Sequence, residues 1–265
     1  MMCHTMEENI HQFARLSILG VFVFLIIFLS CRIDRSDEET ILVFAAASLV
    51  DVLNETSEKF YEDTGIKVFF NYGGSQKLAI DIISGAPADM FISAGYEPMN
   101  TVSKLSDIEP SEIINIASNR LVIAAKENIG KSVVLDDLLN MSRVSIADPE
   151  LAPAGYYAKE SLHNLGLWKD LFPIILYGSD VRMAMAYVQV GNADAAIVYK
   201  TDVSAASGLV GYDVIPQNSY PLVVYPVVYI DRNNKRENSS KYLNFLKSEY
   251  VLEAFSRHGF SAPND

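Results

Sequence analysis

Apolar stretches of strand length alternate with amphipathic stretches of helical spacing from Thr40 onward. The amphipathic stretch 49–60, for example, ends near Gly65, a typical residue at a helix C-terminus. Such alternation predicts mainly parallel sheets covered by helices, in which ligands bind beyond the carboxyl ends of the strands. The predicted strands are residues 41–45, 67–72, 90–93, 121–125, 144–147, 174–177, 195–199 and 225–230, and two helical patterns follow the last strand up to Arg257.

The composition predicts a folded, acidic protein. The chain has 265 residues, of which 50% are hydrophobic and 20% are charged, so it can bury a sizeable core. Its formal charge of −12 argues against nucleic acid as a partner, because nucleic acid is bound by clustered lysine and arginine. The length fits one large domain or two smaller ones, and no linker rich in glycine and serine separates two halves. We therefore expect two lobes joined by continuous crossovers.

The N-terminal segment has the pattern of a signal peptide. Arg15 precedes an apolar run over residues 16–29, which spans only about 21 Å as a helix and is short for a membrane span. Residues 28–31 resemble a bacterial lipobox, although Phe28 stands where leucine is usual. Cys31 is the only cysteine after the apolar run, so it has no partner for an internal disulfide. We expect residues 1–30 to be a signal peptide, Cys31 to be lipidated, and residues 31–40 to be a tether; an uncleaved N-terminal helix is the alternative.

Four strand-to-helix junctions stand out, and the first three contain small residues or a serine. They lie at residues 47–49, 74–76, 153–155 and 180–182. A helix N-terminus presents free backbone N–H groups and positive partial charge, which suits an anion. No lysine or arginine lies between strand and serine at the first two junctions. A helix cap or a tight turn would explain any one junction, but the set of four predicts an oxyanion held by neutral donors.

Six blocks of the sequence carry a family resemblance, and they are residues 44–49, 85–94, 148–160, 180–182, 197–199 and 225–227. In the same order, these blocks resemble the periplasmic molybdate-binding proteins of ABC importers. The resemblance covers nearly all of residues 41–260 and implies the type II periplasmic binding protein fold, an α/β fold of two lobes, each a mainly parallel sheet flanked by helices. It also implies crossings between the lobes near residues 120 and 225, so that lobe 1 is 41–119 plus 226–265 and lobe 2 is 120–225.

The resemblance implies a role for individual residues. The dianion receives hydroxyl and backbone donors from Ser48 and Ser75, backbone N–H groups from Ala154 and Val181, and the hydroxyl of Tyr199. The loop before Gln76 departs from the serine-rich loop of the family, which leaves Ser75 as the best match. From the N-terminal segment we expect an exported protein, held by a lipid on Cys31 at the outer face of the cytoplasmic membrane or in the periplasm. With the resemblance, we expect this protein to be a monomer that delivers molybdate or tungstate to an ABC permease, without a cofactor, a metal cation or catalytic residues.

The chemistry of these donors agrees with a fully deprotonated ligand. Molybdate and tungstate only accept hydrogen bonds near neutral pH, whereas a protonated phosphate would need an acceptor such as an aspartate. The two metal oxyanions are nearly the same size, so the sequence does not separate them. Another oxyanion such as sulfate is the alternative ligand, and an oxyanion-sensing module is the alternative function.

Other residues with possible chemistry have simpler interpretations. A serine hydrolase using Ser48 or Ser75 lacks the Gly-x-Ser-x-Gly pattern at either position. The four histidines show no metal-ligand spacing. Arg182 lies next to Val181, and we expect it to form a surface or interlobe ion pair instead of touching the anion.

Overall fold

The computed structural model describes residues 39–105, 108–127, 133–230 and 236–263. The predicted signal peptide, Cys31 and nearly all of the predicted tether lie outside the described residues. Among the helices that are described, none is long and apolar enough to cross a membrane.

The first sheet has five strands in the order β2-β1-β3-β10-β4. Only β10 is antiparallel to its neighbours β3 and β4, so the other four strands run in one direction. Its strands are β1 (Thr40–Ala46), β2 (Lys67–Gly73), β3 (Met90–Ile92), β4 (Ile114–Asn119) and β10 (Val223–Tyr229), and its helices are α1 (Val50–Thr64), α2 (Ser75–Ile83), α3 (Tyr96–Leu105), α8 (Arg236–Leu246) and α9 (Glu249–Arg257).

The second sheet also has five strands, in the order β7-β6-β8-β5-β9. Here β5 is the antiparallel strand, paired with β8 and β9. The two sheets confirm the predicted α/β fold with two mainly parallel sheets. The elements of this half are β5 (Leu121–Lys126), β6 (Val144–Ala147), β7 (Ile175–Gly178), β8 (Ala195–Tyr199) and β9 (Leu209–Val214), with α4 (Pro153–Asn164), α5 (Trp168–Leu171), α6 (Val181–Gln189) and α7 (Lys200–Ser204).

Burial explains which strands the sequence reveals. Every residue of β6 and β8 is buried; β8 is a continuous apolar run and β6 is interrupted only by Ser145, as is typical of strands covered on both faces of the sheet. All eight predicted strands are present, within two residues at each end. The strands β4 and β9 were missed, because serine, asparagine, glycine and aspartate give them weak strand propensity.

The chain changes sheets at two places. The first sheet ends its fourth strand at Asn119 and the second sheet begins at Leu121, so the chain passes over through Arg120. The return lies between Val214 and Val223, and Val223 already pairs with Asn119. The strand of the first sheet therefore begins before the predicted crossing near residue 225. The division into whole lobes at residues 119/120 and 225/226 stays a prediction.

Candidate anion-binding site

A small cavity lies where strands β1, β2 and β8 end and helices α2, α4 and α6 begin. Its empty space is about 200 Å³. That figure includes space open to solvent, and the enclosed part is much smaller, so the cavity suits a ligand of few atoms. The structure brings all five predicted ligand residues to its wall. The lining residues are Ala46, Ala47, Ser48, Gly73, Gly74, Ser75, Ala94, Ala152, Pro153, Ala154, Asp180, Val181 and Tyr199.

Ser48 reaches the cavity from the end of β1, through a single 3₁₀ turn, Ala47–Leu49. Its side chain is 2% exposed, and its Oγ lies 2.9 Å from the hydroxyl of Tyr225. The Tyr225 hydroxyl also accepts a hydrogen bond of 2.9 Å from Asn119 Nδ2. Sequence reasoning missed Tyr225 and Asn119, because neither lies at a strand-to-helix junction.

Ser75 is the first residue of α2 and follows Gly74 at the N-cap. Its Oγ accepts a hydrogen bond of 3.1 Å from the backbone N–H of Ala94. The serine therefore keeps its own O–H to donate to a ligand. Ala94 follows β3 and lines the cavity, but a residue that contributes only backbone leaves no signal in a sequence.

The helices that accompany the second sheet contribute two N-termini to the site. Ala154 lies in the first turn of α4, and Val181 is the first residue of α6. N–H groups at these positions have no acceptor within their own helix. Asp180 caps α6 by accepting a hydrogen bond of 2.9 Å from the N–H of Met183, so its carboxylate is already engaged.

Tyr199 ends β8 with its side chain 1% exposed. Its hydroxyl is buried and has no hydrogen-bond partner in the described part of the chain. Burial raises the pKa of this phenol well above its ordinary value, so the group stays protonated and remains a donor. A buried hydroxyl without a partner costs about 1–3 kcal/mol, which a ligand oxygen at this position would relieve.

The charges near the cavity are paired with one another. Arg182 does not line the cavity; it forms an ion pair with Asp51 of α1. Its Nε also lies 2.7 Å from Oδ1 of Asp202, close enough for an ion pair but too poorly aligned to count as a hydrogen bond. The expected ion pair of Arg182 is therefore confirmed, and it joins elements that accompany different sheets.

Beside the cavity, the half of the chain that contains the first sheet contacts the half that contains the second sheet. The N–H of Lys77 in α2 donates a hydrogen bond of 3.2 Å to the carbonyl of Leu151 in the second half. A Cβ added to Gly74 would lie 2.2 Å from that same carbonyl oxygen. Gly95 packs in a similar way, because an added Cβ would lie 2.2 Å from the Tyr157 hydroxyl. The approach of Gly74 to a backbone carbonyl requires glycine, whereas the atom that approaches Gly95 belongs to a side chain.

Histidine chemistry is absent from this site. The ring of His163 stacks on that of Trp168, and Nε2 of His258 lies 2.6 Å from Oε2 of Glu55. Neither serine of the cavity has an imidazole partner among the hydrogen bonds of the described residues. Those residues also contain no group of three or more histidine, cysteine or acidic side chains that could hold a metal ion.

The sequence of this chain is similar to those of known bacterial solute-binding proteins. The family described as bacterial extracellular solute-binding protein matches residues 41–261. The molybdate-binding protein ModA of Escherichia coli (strain K12) is 36% identical over 233 residues, which cover 85% of this chain and 90% of that protein.

Two further similarities extend this comparison. A Bacillus subtilis (strain 168) protein, YvgL, is 31% identical over 86% of this chain and 89% of its own; it is provisionally named an ABC transporter substrate-binding lipoprotein. The solved structure of the periplasmic molybdate-binding protein of Azotobacter vinelandii aligns with a TM-score of 0.74 at 22% identity, over 84% of this chain and 99% of that one. At that identity the structural match supports the fold.

Proposed function

The chain belongs to the bacterial extracellular solute-binding protein family, with ModA among its relatives, and we propose that it is an extracytoplasmic receptor that captures molybdate between its lobes and delivers it to an ABC permease. Tungstate is the second ligand that we propose. One observation carries the proposal: a cavity of about 200 Å³ is lined by neutral donors and contains a buried, unpaired tyrosine hydroxyl.

The donors match a tetrahedral dianion that only accepts hydrogen bonds. Ser48, Ser75 and Tyr199 supply hydroxyls, and Ala154 and Val181 supply backbone N–H groups at helix N-termini. A hydrogen bond to a charged group contributes about 1.5–3 kcal/mol. About half a dozen such bonds would give submicromolar affinity after the cost of ordering the site.

We propose that the permease recognises the receptor only after its two lobes have closed. Donors from both sheets surround the cavity, so a bound anion stabilises the arrangement in which the two halves touch. The contact of Gly74 with Leu151 and the ion pair of Arg182 with Asp51 would form only in that arrangement. A permease that binds the closed surface would then distinguish loaded receptor from empty receptor.

Titration calorimetry of the purified protein with molybdate, tungstate, sulfate and phosphate tests this function. We expect molybdate and tungstate to bind at one site with submicromolar Kd, and sulfate and phosphate to give no saturable heat. Tight binding of sulfate instead would support an oxyanion receptor but show that its ligand is sulfate. No binding of any of the four anions would contradict the proposal.

We also propose that Cys31 carries a lipid that holds the receptor at the outer face of the membrane as a monomer. The sequence around Cys31 supports this, as does the name of the Bacillus subtilis relative. Fractionation of cells that express Cys31→Ala is the test. We expect the variant to leave the membrane fraction, whereas continued anchoring would indicate an uncleaved N-terminal helix.

A further inference from the structure

A buried chain of hydrogen bonds lies behind Ser48. Its members are Ser48, Tyr225, Asn119 and Thr201, each no more than 3% exposed. The successive contacts, Ser48 Oγ to Tyr225 Oη, Asn119 Nδ2 to Tyr225 Oη and Asn119 Nδ2 to Thr201 Oγ1, are all 2.9 Å. Ser48 lines the cavity, but the other three side chains do not. The chain therefore connects the cavity wall to the interior.

The direction of these bonds follows from what each group can donate. The amide nitrogen of Asn119 has two hydrogens, which go to Tyr225 and Thr201, and its oxygen accepts from the N–H of Arg120 at 2.9 Å. The Tyr225 hydroxyl therefore accepts from Asn119. Burial raises the pKa of Tyr225, so this hydroxyl keeps its proton.

Among the residues that the structure describes, the proton of Tyr225 has one acceptor within hydrogen-bond distance, the Oγ of Ser48. If Ser48 instead donated to Tyr225, the buried hydrogen of Tyr225 would be left without an acceptor at a cost in stability. In the arrangement Asn119 to Tyr225 to Ser48, the amide hydrogens of Asn119 and the hydroxyl hydrogen of Tyr225 all have acceptors. Ser48 then has its own hydrogen free, and the remaining direction for it is the cavity.

We propose that Tyr225, held by Asn119, is a positioning residue that fixes Ser48 as a donor to the anion and so selects fully deprotonated oxyanions. This inference rests on the proposed oxyanion binding. A Ser48 hydroxyl that accepts from Tyr225 has one of its two lone pairs occupied and its hydrogen directed at the cavity, so it meets a ligand oxygen as a donor. It then offers one acceptor position fewer to the O–H of a protonated phosphate, which disfavours that ligand. Without Tyr225, the Ser48 hydroxyl can rotate, so it both donates less often and can accept.

A double-mutant cycle separates this role from a purely structural one. Kd for molybdate is measured for the wild-type protein, Ser48→Ala, Tyr225→Phe and the double variant. Tyr225→Phe should weaken binding about ten-fold in the wild-type background and less than two-fold when Ser48 is already alanine. Competition of excess phosphate with molybdate at pH 7 gives the ratio of the phosphate Kd to the molybdate Kd, or a lower bound on it, and this ratio should fall in Tyr225→Phe.

Tyr242→Phe is the matched control. Tyr242 is also fully buried, packs against Phe60 and Phe245, and has no hydroxyl partner in the described structure. Its loss of a hydroxyl should leave the Kd for molybdate unchanged.

Several outcomes would overturn the inference while leaving the proposed function intact. They are wild-type molybdate binding by Tyr225→Phe, an equal loss with and without Ser48, and an unchanged phosphate ratio. If Tyr225→Phe does not fold, Asn119→Ala in the same cycle replaces it, since it removes the group that orients Tyr225. Absence of molybdate binding by the wild-type protein would instead refute the proposed function.

Discussion

At the scale of single residues, the hydroxyl of Tyr199 affects the stability of the empty protein and the affinity for the ligand in opposite ways. It is buried, protonated and unpaired in the described structure, so it costs free energy without a ligand and contributes free energy with one. Residues that serve binding commonly carry such a cost, because the partner group arrives with the ligand. The stability of the empty protein and its affinity therefore respond to this hydroxyl in opposite directions.

Tyr199→Phe tests that opposition. We expect the ligand-free variant to be as stable as the wild-type protein or more stable, because a buried unpaired hydroxyl is removed. Molybdate binding should weaken by about 1–3 kcal/mol. Thermal unfolding without ligand and calorimetric titration measure the two effects, and wild-type affinity in this variant would remove Tyr199 from the site.

The two serines give the second prediction at this scale. Ser48→Ala and Ser75→Ala should each weaken molybdate binding by about 1–3 kcal/mol, the cost of losing a donor to a buried charge. Ser57→Ala, on the exposed face of α1, is the control and should bind normally. Titration of all three variants with molybdate measures their affinities. If both site variants bind molybdate as tightly as the control does, the anion lies elsewhere.

Sequence alone could predict the hydroxyl donors but not their neighbours. Ser48 and Ser75 were identifiable because a hydroxyl at a strand-to-helix junction is a visible pattern. Ala94, Asn119 and Tyr225 are distant from them in the chain and become partners only when the sheet order is known. The ligand contacts themselves stay a prediction for all five residues that were proposed from sequence.

At the scale of elements, three helices are joined by one arginine. Arg182 of α6 lies between Asp51 of α1 and Asp202 of α7, and Asp202 is fully buried. Burial raises the pKa of Asp202 to about 7 from the ordinary 3.8, and the opposing influences are Arg182 and a backbone N–H at Tyr199, with Asp51 adding to the rise. The helix junctions of the site are therefore tied to a group that titrates near neutrality.

Asp202→Asn tests the pH dependence that follows. Between about pH 4 and pH 7 the folded protein holds a proton on Asp202 that the unfolded chain has released, so this group's contribution to stability falls as the pH rises. The advantage of the wild-type protein over Asp202→Asn in free energy of unfolding should accordingly grow as the pH is lowered from 7 towards 4. Denaturant unfolding at several pH values measures it, and a constant difference would show that Asp202 does not titrate in this range.

The elements themselves were largely predictable from sequence. Buried strands such as β6 and β8 stand out because they are almost entirely apolar. The polar β4 and the glycine-containing β9 gain their structure from pairing with β10 and β5, and this tertiary contribution is invisible in local pattern.

At the scale of the whole molecule, the contact between the two halves depends on glycine. Gly74 precedes a donor helix of the first half and touches the carbonyl of Leu151 in the second half. A methyl group there has room only if the halves separate. If the receptor closes as proposed, this contact links the backbone of one loop to that motion.

Gly74→Ala should weaken molybdate binding by about 1–3 kcal/mol, because the clash exists only when the lobes are closed. The stability of the empty protein should change less. Gly211→Ala is the matched control, since its added Cβ meets only side chains at 3.7 Å or more. Titration of both variants measures the difference, and equal affinities would mean that the contact at Gly74 is not needed for binding.

Thermal unfolding of the wild-type protein with molybdate, tungstate, sulfate and phosphate in turn tests the central claim most directly. A ligand at about 100 times its Kd adds roughly 2.7 kcal/mol of stability, which should raise Tm by about 5–10 °C for a protein of this size. We predict that rise with molybdate and tungstate and none with sulfate or phosphate. No rise with molybdate would contradict the account and leave Ser48 and Ser75 as ordinary residues at helix starts.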